Sequence, residues 1–175
     1  YRRSGEVDAM RIPKDAYYAH QVMWDGWVNP DPKGLHLIGH WNYAPGTTKD
    51  IHAVSAGEKV ELFVNGKSQG FGTRSYQFLF TFPQVAFEAG ELKARSYDHN
   101  GALLNEKILQ TAGAPHRLKL SYRHGENGLF ADGYDMVLVE GEVPDKNGQR
   151  CPQATGTVAF ALVGPVDCGC GEGQR

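Results

Sequence analysis

Glu140 and Glu142, two residues apart, are the first pair in this sequence whose spacing could do chemistry. On a strand they share one face with a rise of roughly 7 Å between them, which would suit an inverting carboxylate pair. A regular strand offers no evident pocket, so solvated charge on an exposed face is the preferred reading. Seven histidines invite a metal site. His36 and His40, four apart on a strand, would stand about 13 Å from each other and cannot share one ion. His99, His116 and His124 fall in turns. Of the three cysteines, Cys168 and Cys170 flank one glycine and Cys151 precedes Pro152. No fourth ligand stands at suitable spacing and a bridge across one residue is geometrically awkward, so free thiols are preferred. Neither a metal nor a cofactor is expected. Trp24, Trp27 and Trp41 are the residues on which a sugar ring could stack, with core or interdomain packing the favoured alternative.

These side chains sit in a chain of 175 residues, enough for one large domain or two small ones. Hydrophobic content of 41% suits a globular chain. A net charge of −2 with mixed signs gives no footprint for nucleic acid, and no apolar run approaches a membrane span. Residues 1–6 lack the apolar core of a signal peptide, as a fragment or a processed chain also would. The 22 glycines point to many tight turns rather than long helices.

The elements that must position these residues are organised around residues 59–66. Val60, Leu62 and Val64 alternate with Lys59 and Glu61, and Asn65-Gly66 supplies the two positive-φ residues of a type I′ hairpin turn. Lys67 to Phe71 can run back as the partner strand. Residues 12–24 read as the one helix, with Pro13 in its first turn and Asp15 complementing the positive helix end. Ile12, Ala16, Ala19 and Met23 form one stripe, and Tyr17, His20 and Trp24 an adjoining one. A helix with two apolar stripes needs neighbours on more than one side. Residues 25–34 read as a linker. Strands are then expected at 35–41, 51–55, 59–66, 67–71, 77–83, 91–98 and 104–111, spaced as in an immunoglobulin-like antiparallel β-sandwich. Gly113-Ala114-Pro115 marks a boundary. Beyond it Leu118, Leu120 and Tyr122, then Val137, Val139 and Val143, then Val158, Phe160 and Leu162 alternate around the turn at Asp145-Lys146-Asn147-Gly148. About sixty residues are too few for a full sandwich of about one hundred, so a second, incomplete one is expected.

Ile12-Pro13-Lys14-Asp15-Ala16-Tyr17-Tyr18-Ala19, followed by Trp24, resembles the last helix of the catalytic barrel of glycoside hydrolase family 2, which includes β-galactosidases and β-glucuronidases. Leu37-Ile38-Gly39-His40-Trp41-Asn42 and residues 60–68 resemble the sandwich after that barrel. Ala131-Asp132-Gly133, Val143-Pro144-Asp145 and residues 158–165 resemble a later immunoglobulin-like domain. The resemblance implies three parts: the end of a barrel at 1–33, a sandwich at 34–113, and the incomplete sandwich at 114–175. It also implies a retaining parent enzyme with two glutamates about 5–5.5 Å apart, both upstream of Tyr1. This chain is then expected to be a non-catalytic, β-galactosidase-like C-terminal portion that braces the barrel, inactive by itself.

In a barrel the loop before the last helix lies on the catalytic rim, so Arg2, Arg3 and Glu6 could approach a sugar in the intact enzyme. Trp24, at the helix end, would lie far from it. The implied partner is the missing barrel of the same polypeptide, with a second copy of the chain and a carbohydrate also considered. A carbohydrate-binding sandwich module and a structural immunoglobulin-like repeat are the competing readings, and the helix speaks against the repeat. The cysteines neither require nor exclude export, and a periplasmic or secreted setting is preferred over a cytoplasmic one.

Overall fold

The structure, a computed structural model, describes residues 5–8, 11–28, 33–125, 128, 130 and 132–161. One helix, α1 (Asp15–Val28), precedes ten strands. Eight of them build two antiparallel four-stranded sheets: β1 (Leu35–Leu37), β2 (Thr48–Ser55), β3 (Lys59–Val64), β4 (Lys67–Phe71), β5 (Thr73–Ser75), β6 (Leu79–Ala86), β7 (Glu91–Tyr97) and β8 (Leu103–Gln110). The first sheet runs β1-β2-β6-β5 and the second β4-β3-β7-β8. Alternation decides what lies between them. Val60, Leu62 and Val64 of β3 and Leu92 and Ala94 of β7 meet Ile51 and Ala53 of β2 and Phe80 and Phe82 of β6 in one buried cluster. The chain is mainly β, an antiparallel sandwich.

The hairpin at the centre forms as its sequence requires. Asn65 and Gly66 have φ of 48° and 80°, and Val64 pairs with Lys67 across the turn. Its tip is fastened by the Asn65 side chain, which accepts from the Glu91 amide and donates to the Ala89 carbonyl. A Cβ on Gly90, at φ +132°, would stand 2.1 Å from Asn65 Oδ1, so this latch needs glycine there.

Several expectations are corrected. The helix begins at Asp15, not residue 12, because Pro13 is taken up in a bridge with Val7. It then runs through Asp25 and Gly26 to Val28, where a linker was expected; Gly26 lies against the Phe78 ring, whose Cε1 would be 2.8 Å from an added Cβ. Strand β5 has no counterpart in the sequence reading. Strand β6 continues past Pro83 because its pairing with β2 shifts register between Lys49 and Ile51. There Gln84 turns to φ 53° and its amide bonds the Asp50 carboxylate, a break in the ladder that tolerates a proline without a donor.

After Gln110 the chain makes a two-stranded ribbon, β9 (Lys119–Arg123) with β10 (Leu138–Glu142). The strand expected around Val158 and Phe160 is absent: residues 154–161 are irregular and Phe160 is exposed. Leu162, the third residue of that expected strand, lies outside the described residues.

Candidate functional site

Helix α1 is the element whose surroundings differ most between its two sides. Its inner stripe, Val22 with the half-buried Ala19 and Met23, packs on Val54, Phe78, Ile38, Ala56 and Leu79. Polar anchors hold its N-terminal end. Asp15 Oδ2 accepts from the Gly39 amide at 2.9 Å, and Oδ1 bonds His36 Nε2 at 2.9 Å. The His36 ring stacks on Tyr18 with centroids 5.1 Å apart. The Asp15 carboxylate therefore ties helix to sheet. Glu6 pairs with His20 on the exposed side of the helix, and its carbonyl accepts from the Lys14 amide.

The outer side carries Tyr17, Tyr18, Trp24, Trp27 and Val28, all exposed; each tryptophan keeps 65% of its surface. Trp27 touches the sandwich only edge-on, through Phe78 at 5.4 Å between centroids among the described ring contacts. Trp41 is the opposite case. It is fully buried, its Nε1 donates to the Glu88 carbonyl at 3.0 Å, and its ring meets Tyr43 and Phe87 edge-to-face. Trp41 is a core residue and cannot serve as a stacking platform; its place in the alternating run from Leu35 was the available signal. Arg2 and Arg3 lie outside the described residues, as do Cys168 and Cys170.

Glu140 and Glu142 lie on one face of β10, each ion-paired across the ribbon: Glu140 with Arg123 at 3.0 Å, Glu142 with Lys119 at 3.2 Å. Each carboxylate thus has a cationic partner on a solvated strand rather than a substrate-sized gap beside it. His36 lies on β1 and His40 beyond its end, past Gly39 at φ +92°; Asp15 bonds the first and its charge acts on the second. Among the described residues no three His, Cys, Asp or Glu side chains converge as metal ligands would.

The sandwich and the ribbon meet at a second polar node. Asp145 is buried; Oδ2 accepts from the Gly113 amide at 2.8 Å, and Oδ1 from the Asn147 and Gln149 amides at 2.8 and 2.9 Å. The Gly113 bond above all, with those of Gln149 and Asn147, outweighs burial and holds this carboxyl below the usual aspartate range. Nearby, Gln153 donates to the Asn42 carbonyl and Ala112 to the Asn42 side chain. Between them lies a depression of about 210 Å³ whose lining, including Pro115, Cys151 and Pro152, holds no titratable pair. Asp145 was read only as a turn residue, since a partner 32 positions upstream leaves no local trace.

Comparison with known proteins agrees with these features. A family described as a domain of unknown function, DUF4982, matches residues 46–105, the bulk of the sandwich. A β-glucuronidase of Formosa agariphila is 42% identical over 166 residues, covering 94% of this chain and 16% of that protein. The β-galactosidase BoGH2A of Bacteroides ovatus is 38% identical over 161 residues, covering 91% and 18%. The solved structure of a β-glucuronidase from glycoside hydrolase family 2 superposes with a TM-score of 0.78 at 41% identity, covering 87% of this chain and 16% of that one. These matches indicate a C-terminal part of a glycoside hydrolase family 2 enzyme. It spans only 16–18% of the length of these relatives.

Proposed function

We propose that this chain is the non-catalytic C-terminal portion of a β-galactosidase-like retaining glycosidase, and that it braces the catalytic barrel through the outer face of α1. The supporting observation is the asymmetry of that helix: one stripe is docked on the sandwich while Trp24, Trp27 and Val28 face solvent. Exposed aromatics in a continuous stripe are interface residues rather than ordinary surface. The proposed division is barrel end at 1–33, sandwich at 34–113 and an incomplete second sandwich at 114–175. The ribbon supports the last part, because two strands with one apolar face need further strands to be stable.

A β-galactoside is the substrate class proposed for the intact enzyme, with a β-glucuronide its competitor, since the relatives carry both names. Arg2, Arg3 and Glu6 are proposed to line its rim; kcat/KM unchanged by alanine at all three positions in the intact enzyme would dispose of that role. The bracing role is tested by Trp24→Ala with Trp27→Ala in the intact enzyme. It predicts a lower Tm and faster inactivation on heating with KM unchanged; an unaltered Tm would overturn it. Turnover of a chromogenic glycoside by the 175-residue chain itself would overturn the non-catalytic assignment. The exposure of Trp24 and Trp27 also supports a second reading, a carbohydrate-binding module. Saturable quenching of tryptophan emission by an oligosaccharide would favour it.

A further inference from the structure

One ion pair beside α1 serves neither the core nor the docking of the helix on the sandwich. Ahead of α1 the stretches 5–8 and 11–14 run antiparallel: Val7 bridges Pro13, the Asp8 amide donates to the Ile12 carbonyl at 3.0 Å, and the Lys14 amide donates to the Glu6 carbonyl at 2.8 Å. Asp8 Oδ1 also accepts from the Ile12 amide at 2.8 Å. Arg11 takes φ 59°, a left-handed conformation that is costly for a long side chain. The loop thus has a definite shape of its own.

A shaped loop still needs a fixed direction, because a hold at Lys14 alone would let it swing as a unit about the start of the helix. The Glu6 side chain supplies a second attachment. Its carboxylate bonds His20 Nδ1, 14 residues on and past the first turn of α1. A carboxylate only accepts, so Nδ1 carries the proton of this bond. Glu6 is therefore held through its backbone at Lys14 and through its side chain at His20, on either side of the helix start. His20 shares its stripe with the exposed Tyr17 and Trp24, so the loop is tied to the outer face by which α1 is proposed to brace the barrel.

We infer that His20 is a positioning residue for substrate binding in the intact enzyme: through Glu6 it fixes where the loop before α1 stands at the rim of the barrel. His20 itself touches no sugar. The inference rests on the reading given under the proposed function, in which Arg2, Arg3 and Glu6 line that rim. Arg3 and Arg2 are three and four residues from Glu6, so the chain can carry them no more than about 10–14 Å from it. Pinning Glu6 to the helix confines both cations to the same small region, whereas releasing it would let the whole rim segment drift.

The test is kinetic, on the full-length enzyme with the chromogenic glycoside it turns over. His20→Ala is expected to raise KM about threefold, the weight of one partly exposed ion pair, with kcat and Tm unchanged. His20→Asn, whose amide nitrogen stands where Nδ1 does, should restore KM. In a Glu6→Ala background His20→Ala should add nothing, because its route to the rim is gone. Trp24→Ala with Trp27→Ala should show the opposite pattern, a lower Tm with KM spared. An unchanged KM in His20→Ala, a rise that Asn does not rescue, or a rise of the same size without Glu6 overturns the assignment. If alanine at Arg2, Arg3 and Glu6 alters kcat/KM while His20→Ala does not, the positioning role falls alone. If none of these changes alters it, the rim reading falls as well.

Discussion

Both oxygens of Asp15 are bonded, one to a ring nitrogen and one to a main-chain amide, and all three residues sit where the helix meets β1. Asp15→Ala leaves the Gly39 amide and His36 without their acceptor, which should cost about 1–2 kcal/mol. Hydrogen exchange should speed up first in the amides of α1, while β3 and β7 keep their protection. Asp145 does similar work where the chain leaves the sandwich at Gly113. Its folded pKa is depressed, so its contribution to stability is present above the ordinary aspartate value, about 3.9, and is lost as pH falls through the lowered folded value. Acid should therefore loosen the junction at Gly113 before it melts the sandwich. Asp145→Asn should bring that loosening to neutral pH, visible as faster exchange at Gly113 and Gln149. Asp15 was legible as a helix-end acid but not as a tie to β1, because Gly39 is 24 residues away. Sequence periodicity carries no record of such pairings.

At the scale of elements, the turn between β5 and β6 carries strain. Tyr76 and Gln77, neither glycine nor asparagine, sit at φ 48° and 67°, and Tyr76 is 90% exposed. Arg74 holds the turn by donating to the Gln77 carbonyl at 2.6 Å and to Glu58 at 2.9 Å. Because that carbonyl belongs to the backbone, Tyr76→Asn with Gln77→Gly keeps the clamp and relieves the left-handed cost. The double change should stabilise the chain by about 1 kcal/mol, read as a rise in Tm of several degrees. The central hairpin shows the same rule obeyed: Asn65-Gly66 announces its turn, and its strands were readable from alternation alone. The missing β5 and the extension past Pro83 were not readable. Three residues are too short for a period, and the register shift beside Pro83 depends on Asp50 reaching Gln84 across the sheet. The helix end at Val28 was misjudged for a similar reason, since the Phe78 ring that accommodates Gly26 comes from a distant strand.

At the scale of the whole molecule, two apolar surfaces lie uncovered among the described residues: the outer stripe of α1, and the ribbon face bearing Leu118, Leu120, Tyr122 and Val139. The opposite face of the ribbon is ion-paired, so the ribbon is amphipathic as a unit. A chain with two such surfaces should self-associate when isolated. Sedimentation velocity should show a concentration-dependent shift that Trp24→Lys with Tyr122→Lys suppresses without changing the far-ultraviolet spectrum. A monodisperse parent chain at all concentrations would contradict this expectation. The family was legible because its segments recur in order along nearly the whole chain, whereas which faces stay bare depends on contacts between residues far apart in sequence.

The three tryptophans also make the molecule its own optical gauge. Trp41, sealed among aromatic rings with its indole N–H bonded, should emit at short wavelength and ignore iodide, whereas Trp24 and Trp27 should emit at long wavelength and be quenched. Whatever comes to rest on the helix would then dim or blue-shift only the red component, and melting of the sandwich would move only the blue one. Assembly and unfolding could be followed as separate colours in one cuvette, with no label attached.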